Sequence, residues 1–331
     1  VTETVWDVVV VGCGPTGLAV GAEARRAGLS AVLVDKGALT ANLLEFPTYM
    51  RFFTTRDRLE IGGVPFAVPD EKPDRQQALV YYRAVVRHHG LTVRTYEEVS
   101  HVERAGEHLV VHTRSARGAD SLRGRSVVVA TGYFGHPRRL GVPGEDLPWV
   151  HERYREPYPH FDEHVAIIGG GNSACEAALE LWRNDARVTV IHRGSEIKPT
   201  VKYWVKPDFE NRVAEGSINA LMETTVEAFA AGEVVARKGG EPVRLGVDAA
   251  YVLIGYTIDA DMLRRSGVEV TADELIPTFD EQTGETNVPG LYVAGAVRSG
   301  IHTNRIFIDN SREHGAAIVA DITARLRKAG S

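Results

Sequence analysis

Two glycine-rich hexapeptides carry the chemistry of this chain: Gly12-Cys13-Gly14-Pro15-Thr16-Gly17 and Gly169-Gly170-Gly171-Asn172-Ser173-Ala174. Each follows an apolar run and opens a helical pattern. In such a loop the first glycine makes the tight turn and the second lets backbone approach a diphosphate. The third lets the helix pack close to the strand. The diphosphate then rests on the helix N-terminus, where free N–H groups and the helix dipole favour negative charge. Two such loops imply two dinucleotides, and a chain that holds two is suited to pass a hydride between them.

The residues that end the second strand of each unit separate the two ligands. Asp35 ends the strand after the first loop, placed to accept from a ribose hydroxyl. At the second loop the same place carries His192 and Arg193, with Lys198 just beyond and no acid. A guanidinium fork suits a 2′-phosphate, so NADPH is favoured over NADH there. Gly169, Gly171, Asn172, Ser173, Ala174, His192, Arg193 and Lys198 are the expected NADPH residues.

Only two cysteines are present, Cys13 and Cys175, so no Cys-x-x-Cys exists to relay electrons. Cys175 shares an apolar helical stripe with Leu179 and Trp182 and reads as packing. Cys13 is the candidate catalytic thiol. A helix N-terminus beside it would lower a thiol pKa, while a bound diphosphate would oppose the thiolate. The alternative is a small residue that fits the turn. None of the 12 histidines shows a metal-ligand spacing, so no metal is expected. His302 and His314 flank the segment expected near the first cofactor, and either could supply a proton.

The elements that must position these residues are legible in outline. Val8–Val11 is a β-branched run of the kind found in parallel strands covered on both faces. A helix over Leu18–Ala27 closed by Gly28, and a strand over Ala31–Val34, complete a βαβ unit. Arg75–Gly90 reads as a helix, Leu91–Thr95 as a strand, Glu103–Arg114 as a hairpin strand and Ser126–Ala130 as a buried strand. The Pro- and Gly-rich stretch Tyr133–Glu163 suggests a crossing between domains. A second βαβ unit follows: His164–Ile168, the helix Ser173–Asp185 and Arg187–Ile191. Strand-like segments run on to Ala249–Gly255, then Leu291–Ala294 and a last helix near Asn310–Arg327. The fold class is α/β, with two Rossmann-like dinucleotide-binding domains.

Val127–Gly132 and Asn287–Ala296 resemble the two flavin-specific motifs of two-dinucleotide-domain flavoproteins, which points to FAD at the first loop. The second motif usually ends in Asp, and here Ala296 stands instead. Over nearly its whole length the chain resembles the bacillithiol-disulfide reductase group, a branch of the thioredoxin-reductase-like flavoproteins. The most specific stretches are Phe52–Gly62, Gln77–Tyr82, Tyr133–Asp146, Val201–Phe209 and Asn304–Gly315. That group also lacks Cys-x-x-Cys and the terminal Asp.

The resemblance implies an NADPH-dependent FAD enzyme that reduces the disulfide of a low-molecular-weight thiol, foremost bacillithiol disulfide. It implies a flavin domain built from residues 1–133 and 257–331, with an NADPH domain over 134–256. Gly12, Gly14, Pro15, Thr16, Gly17, Asp35, Lys36, Asn42, Thr48 and Val99 are its implied FAD residues in the first half. Thr131, Gly132, Gly295, Ala296, Arg305 and Ile306 complete the set. Domain rotation, a homodimer, and a bacilliredoxin-type or electron-carrier partner are further implications. In one respect the chain departs: the group places a cysteine just before the third glycine, where this chain has Thr16.

Composition sets the limits. At 44% hydrophobic and 25% charged residues, neither disorder nor a membrane span is indicated. A net charge of -6 with no Lys/Arg block argues against nucleic acid. Val1–Trp6 lacks the build of a signal peptide, and the expectation is a soluble cytoplasmic protein. Two rivals remain at this stage. One is a ferredoxin- or flavodoxin-NADP reductase, the other a low-turnover flavin- and nucleotide-binding sensor.

Overall fold

A computed structural model describes residues 4–329, so part of the Val1–Trp6 reading lies outside the described residues. The elements in chain order are β1 (Val5–Val11), α1 (Pro15–Arg26), β2 (Ala31–Val34), α2 (Ala41–Leu44), α3 (Arg75–His89), β3 (Thr92–Arg94), β4 (Glu97–Ala105), β5 (His108–Ser115) and β6 (Gly118–Val129). Then come β7 (Val150–His151), β8 (His164–Ile168), α4 (Asn172–Arg183), β9 (Arg187–Ile191), α5 (Lys206–Ala214), β10 (Asn219–Leu221), β11 (Thr224–Ala230), β12 (Glu233–Lys238), β13 (Glu241–Gly246) and β14 (Ala249–Val252). The chain closes with α6 (Ala260–Arg265), β15 (Leu291–Val293), α7 (Ile308–Ser311) and α8 (His314–Ala329).

These form two compact units. The first takes Val1–Glu45, Met50–His136 and Tyr256–Ser331; the second takes Phe46–Tyr49 and Pro137–Gly255. The expected boundaries therefore shift: residues 134–136 and 256 pack with the first unit, and Phe46–Tyr49 with the second. The cause of the second shift is local, since Thr48 N–H donates to the Arg155 carbonyl at 2.8 Å and Tyr49 meets Tyr158 edge-on.

In the first unit one sheet runs β3-β2-β1-β6-β5-β4, with β15 also paired to β6. The strand β6 does two jobs. Its start pairs antiparallel with β5, and its end lies parallel to β1 and β15. Val8, Val9 and Val10 have no exposed surface, as expected of a strand covered on both faces. Glu103–Arg114, expected as one strand, spans the end of β4, the turn at Gly106 and most of β5. The last helix is also divided, α7 ending at Ser311 and α8 starting at His314. Near its start α8 comes close to α1: a Cβ on Gly315 would lie 3.0 Å from the Ala19 carbonyl carbon.

The second unit has a parallel sheet ordered β10-β9-β8-β14-β7 and a separate antiparallel sheet β11-β12-β13. The helix α5 falls among segments expected to be strands. Its signal was Pro207 in the first turn, where a missing N–H costs nothing. Among the described residues no helix is long and apolar enough to cross a membrane.

A buried serine ties α6 to β4. Ser266 Oγ accepts from Val102 N–H at 2.9 Å and donates to the Met262 carbonyl at 2.8 Å. Replacing Ser266 by Ala leaves that N–H unpaired, with an expected loss of about 1–3 kcal/mol. Urea denaturation checks this: the midpoint should fall with the slope unchanged.

Candidate dinucleotide sites

The first loop is shaped by contacts that only glycine permits. Gly12 sits at φ 110°, and a Cβ there would lie 2.8 Å from the Ala130 carbonyl carbon. A Cβ on Gly17 would run into the Gly12 carbonyl, so α1 and the loop touch through bare backbone. Gly14 is different: nothing lies within 4 Å of its missing Cβ. Gly14 is the N-cap of α1, Pro15 occupies the first turn, and no side chain caps the helix. The loop thus offers uncapped N–H donors beneath open space, which is what a diphosphate requires.

Asp35 anchors the loop as well as facing it. Its Oδ2 accepts from Cys13 N–H at 2.7 Å and its Oδ1 from Gly37 N–H at 2.8 Å. A carboxylate has about four acceptor positions, so two remain for ribose hydroxyls. Glu97 N–H donates to the Asp35 carbonyl at 2.8 Å, which brings Val99, two residues on in β4, toward this strand end.

Lys36, Asn42 and Gly132 gather beside it. A Cβ on Gly132 would sit 3.6 Å from Asn42 Nδ2, and Lys36 Nζ lies 3.5 Å from His136 Nε2. Thr131 Oγ1 is buried and has no hydrogen-bond partner. An orphaned hydroxyl at the end of β6 is costly unless a ligand completes it. Thr48 groups with the second unit through its backbone contact to Arg155. Arg305 is exposed and Ile306 half-buried, on the turn that leads into α7.

Around Gly295 three elements meet. Its missing Cβ would lie 2.8 Å from Thr16 Oγ1, and its N–H donates to His314 Nδ1 at 3.0 Å. Ser311 Oγ gives its proton to the Phe307 carbonyl at 2.6 Å, so Thr16 Oγ1 must donate to Ser311 Oγ across 3.0 Å. Thr16 is therefore a structural donor. Ala296 lies half-buried in the short helical turn that follows, with its carbonyl accepting from Ser299 Oγ.

The thiols do not behave as a helix N-terminus alone would dictate. Cys13 has no exposed surface, and burial, with help from the Asp35 carboxylate, pushes its thiol well above the usual range. The expected lowering of its pKa is overturned by desolvation. Cys175 is also fully buried, and burial, then Glu176 and Glu210, pushes it up to about 12. The two histidines that flank this segment differ in their surroundings. His302 pairs with Glu274 at 2.7 Å. Burial, then Arg298, brings His314 down to about 4.

The second loop repeats the first with cations added. Gly169 sits at φ 145° against the Leu253 carbonyl, and its missing Cβ would lie 3.3 Å from Ala174 Cβ. A Cβ on Gly170 would strike the His192 ring at 2.7 Å, so the imidazole lies flat on the loop. Lys198 N–H donates to the Gly170 carbonyl at 2.8 Å. Arg193, Lys198 and Ser173 are exposed, and burial plus the charges of Lys198 and Arg193 lower the His192 pKa. Gly171 is the N-cap of α4, again with no capping side chain. Asn172 is occupied by its own unit: its Oδ1 accepts from Lys202 N–H at 2.8 Å.

A family model described as pyridine nucleotide-disulphide oxidoreductase matches residues 9–295, which takes in both loops. The chain belongs to that family. Among its similar members is the bacilliredoxin reductase Bdr of Bacillus subtilis (strain 168), 39% identical over 318 residues. That match covers 96% of this chain and 97% of the relative. The solved structure of bacillithiol disulfide reductase Bdr (YpdA) from Bacillus cereus superposes with a TM-score of 0.95 at 36% identity, covering 97% of this chain and 100% of that one. A ferredoxin–NADP reductase from Ignicoccus hospitalis is 26% identical over 88% of this chain and 90% of its own length.

Within the pyridine nucleotide-disulphide oxidoreductase family the chain is a flavin-dependent thiol-disulfide reductase, and the ferredoxin-reductase alternative is the less supported. Flavin and pyridine nucleotide are its cofactors. The two loops, the orphaned Thr131 hydroxyl and the open space over Gly14 fit such groups. Sequence spacing missed one grouping, His101, Glu103 and His112, which the pairing of β4 with β5 assembles.

Two outcomes are expected. Thr131→Val should weaken flavin retention about tenfold, or ~1.4 kcal/mol, without destabilising the flavin-free protein. Fluorescence titration of flavin release measures it. His314 is neutral in the fold and charges in the unfolded chain near pH 6.5. Its share of stability is full above that pH and lost as pH falls toward about 4. The loss should reach about 3 kcal/mol. His314→Gln should flatten the stability profile over that window in chemical denaturation.

Proposed function

We propose that the chain is an NADPH-dependent FAD enzyme that reduces a low-molecular-weight disulfide, with bacillithiol disulfide as the substrate. The observation that carries this reading is near full-length similarity to two Bdr proteins in a chain that lacks Cys-x-x-Cys. When bound, the flavin supplies hydride acceptance from the reduced nicotinamide and delivery of two electrons to a disulfide.

The protein residues have separate tasks in this reading. Gly12, Gly14, Pro15 and Gly17 hold the FAD diphosphate, Asp35 the ribose, and Thr131 closes the remaining polar gap. Gly169, Gly171 and Ala174 admit the NADPH diphosphate, while Arg193 and Lys198, both exposed at the end of β9, take its 2′-phosphate. His192 lies flat on Gly170 and fixes the floor of that site. Its lowered pKa keeps it a neutral platform beside the two cations.

Cys13 has no catalytic part here. A buried thiol with a raised pKa is a poor nucleophile. The overall change is one disulfide plus NADPH and a proton to two thiols and NADP⁺. The absence of a reactive cysteine leaves the disulfide to be reduced without a mixed-disulfide step on the protein.

The deciding experiment is anaerobic reduction of the purified protein with NADPH, followed by stopped-flow mixing with bacillithiol disulfide. Flavin reoxidation with release of two thiols is expected, and Cys13→Ala should keep the rate within about twofold, since a buried packing residue contributes no chemistry. Reoxidation by ferredoxin alone would overturn the reading. Arg193→Ala should lower the NADPH-to-NADH preference in kcat/KM by roughly 10–100-fold, the worth of a charge-assisted hydrogen bond. An unchanged ratio would remove Arg193 from the site.

A further inference from the structure

Away from both loops, on the outer strands of the first unit, three side chains with metal-ligand atoms converge. His101 and Glu103 lie on β4 and His112 on β5, with one ligand atom of each within 4.8 Å of the others. We propose that His101, Glu103 and His112 form a binding site for a borderline divalent transition-metal ion, zinc being the ion this donor set fits.

The placement follows from one extra residue. The pairing of β4 with β5 shifts register between Val99 and His101, so that His101 comes to lie directly opposite His112. Such a bulge re-aims the side chains that follow it. Val102 and Val111 pair on the buried face. His101 and Glu103, two apart on β4, share the other face with His112. The two imidazole rings stack at 4.3 Å between centroids with planes 7° apart.

Hydrogen bonding prepares the ligands. Ser100 Oγ donates to the His112 carbonyl at 3.3 Å, and so accepts from His101 Nδ1–H at 3.0 Å. That fixes the His101 tautomer with its lone pair on Nε2, as second-shell partners of ligating histidines do. His112 Nε2 is buried and lies 3.0 Å from Glu103 Oε1, which pairs with it when the ring is protonated. A nitrogen and a carboxylate oxygen 3.0 Å apart share a proton when the ring is protonated, and take a cation between them when a metal displaces that proton.

Two imidazoles and one carboxylate suit zinc, with a water as the fourth ligand. On a tetrahedral ion with bonds of about 2.0–2.1 Å the donors stand about 3.3 Å apart, so rotation of the side chains closes the site. The exposed partners leave room for that rotation: the Glu103 side chain is 55% exposed and His112 35%. A bound ion would staple β4 to β5 across the bulge.

Equilibrium dialysis of the full chain against zinc tests this, with magnesium as the control ion. Saturable uptake of one zinc per chain is expected, with a rise in Tm that magnesium does not produce. His101→Ala and His112→Ala should each weaken uptake at least tenfold and abolish the Tm rise. Ser100→Ala should weaken uptake about tenfold through loss of the fixed tautomer. Copper substituted for zinc should show two coordinated nitrogens by EPR, falling to one in either histidine variant. Zinc uptake that persists unchanged in the double histidine variant, or no saturable uptake at micromolar zinc, overturns the proposal.

Discussion

Backbone pressed against backbone at the mouth of each parallel sheet is the constraint on which the rest of this molecule depends. In the first unit the turn at Gly12 lies against the Ala130 carbonyl, and the start of α1 lies against the Gly12 carbonyl. In the second, Gly169 lies against the Leu253 carbonyl, with Ala174 behind it. Both contacts sit where the strand order turns from one neighbour to the other, β2 to β6 around β1 and β9 to β14 around β8. That crevice, outside the carboxyl ends of the strands, is where open α/β sheets bind ligands. A methyl group at either first glycine would open the packing and shut the site at once. Fold and binding therefore rest on the same atoms.

Electrostatics then divides the two sites. At the first, Asp35 is tied to Cys13 and Gly37 backbone N–H groups, so its charge is positioned before any ligand arrives. At the second, no acid directly follows β9, and Arg193 and Lys198 stand exposed near a half-buried imidazole. Positive charge near His192 and its burial act in the same direction, and the ring stays neutral. One site is shaped to accept hydroxyl donors, the other to accept an anion.

Much of this was legible because burial on both faces writes itself into sequence as continuous valine and isoleucine runs. Ala31–Val34, His164–Ile168 and Arg187–Ile191 were read to the residue. The antiparallel part was not. Glu103–Arg114 runs across a two-residue turn at Gly106, whose positive φ a lone glycine in a strand-like run does not by itself reveal. Cys13 shows the deeper limit. Its place at a helix N-terminus is visible in the sequence, but the complete burial that raises its pKa is a property of the packing around it. The pairing of His101 with His112 depends on a bulge at one position, and no spacing rule across the two strands would give it.

Thr16 joins four elements of the first unit. Where the resembling group carries a thiol, this chain has a hydroxyl that donates to Ser311, which donates in turn to the Phe307 carbonyl. The same Thr16 packs against Gly295, whose N–H is held by His314. The start of α1, the turn after β15, α7 and the start of α8 are thus joined through one short run of hydrogen bonds. A hydroxyl in that run cannot gain or lose electrons at any potential a nicotinamide reaches, and the two thiols present are buried and protonated. Around the first loop the described residues hold no exposed thiol. In the proposed reaction, with both thiols buried, the shape and charge of the surface that meets the disulfide set its specificity.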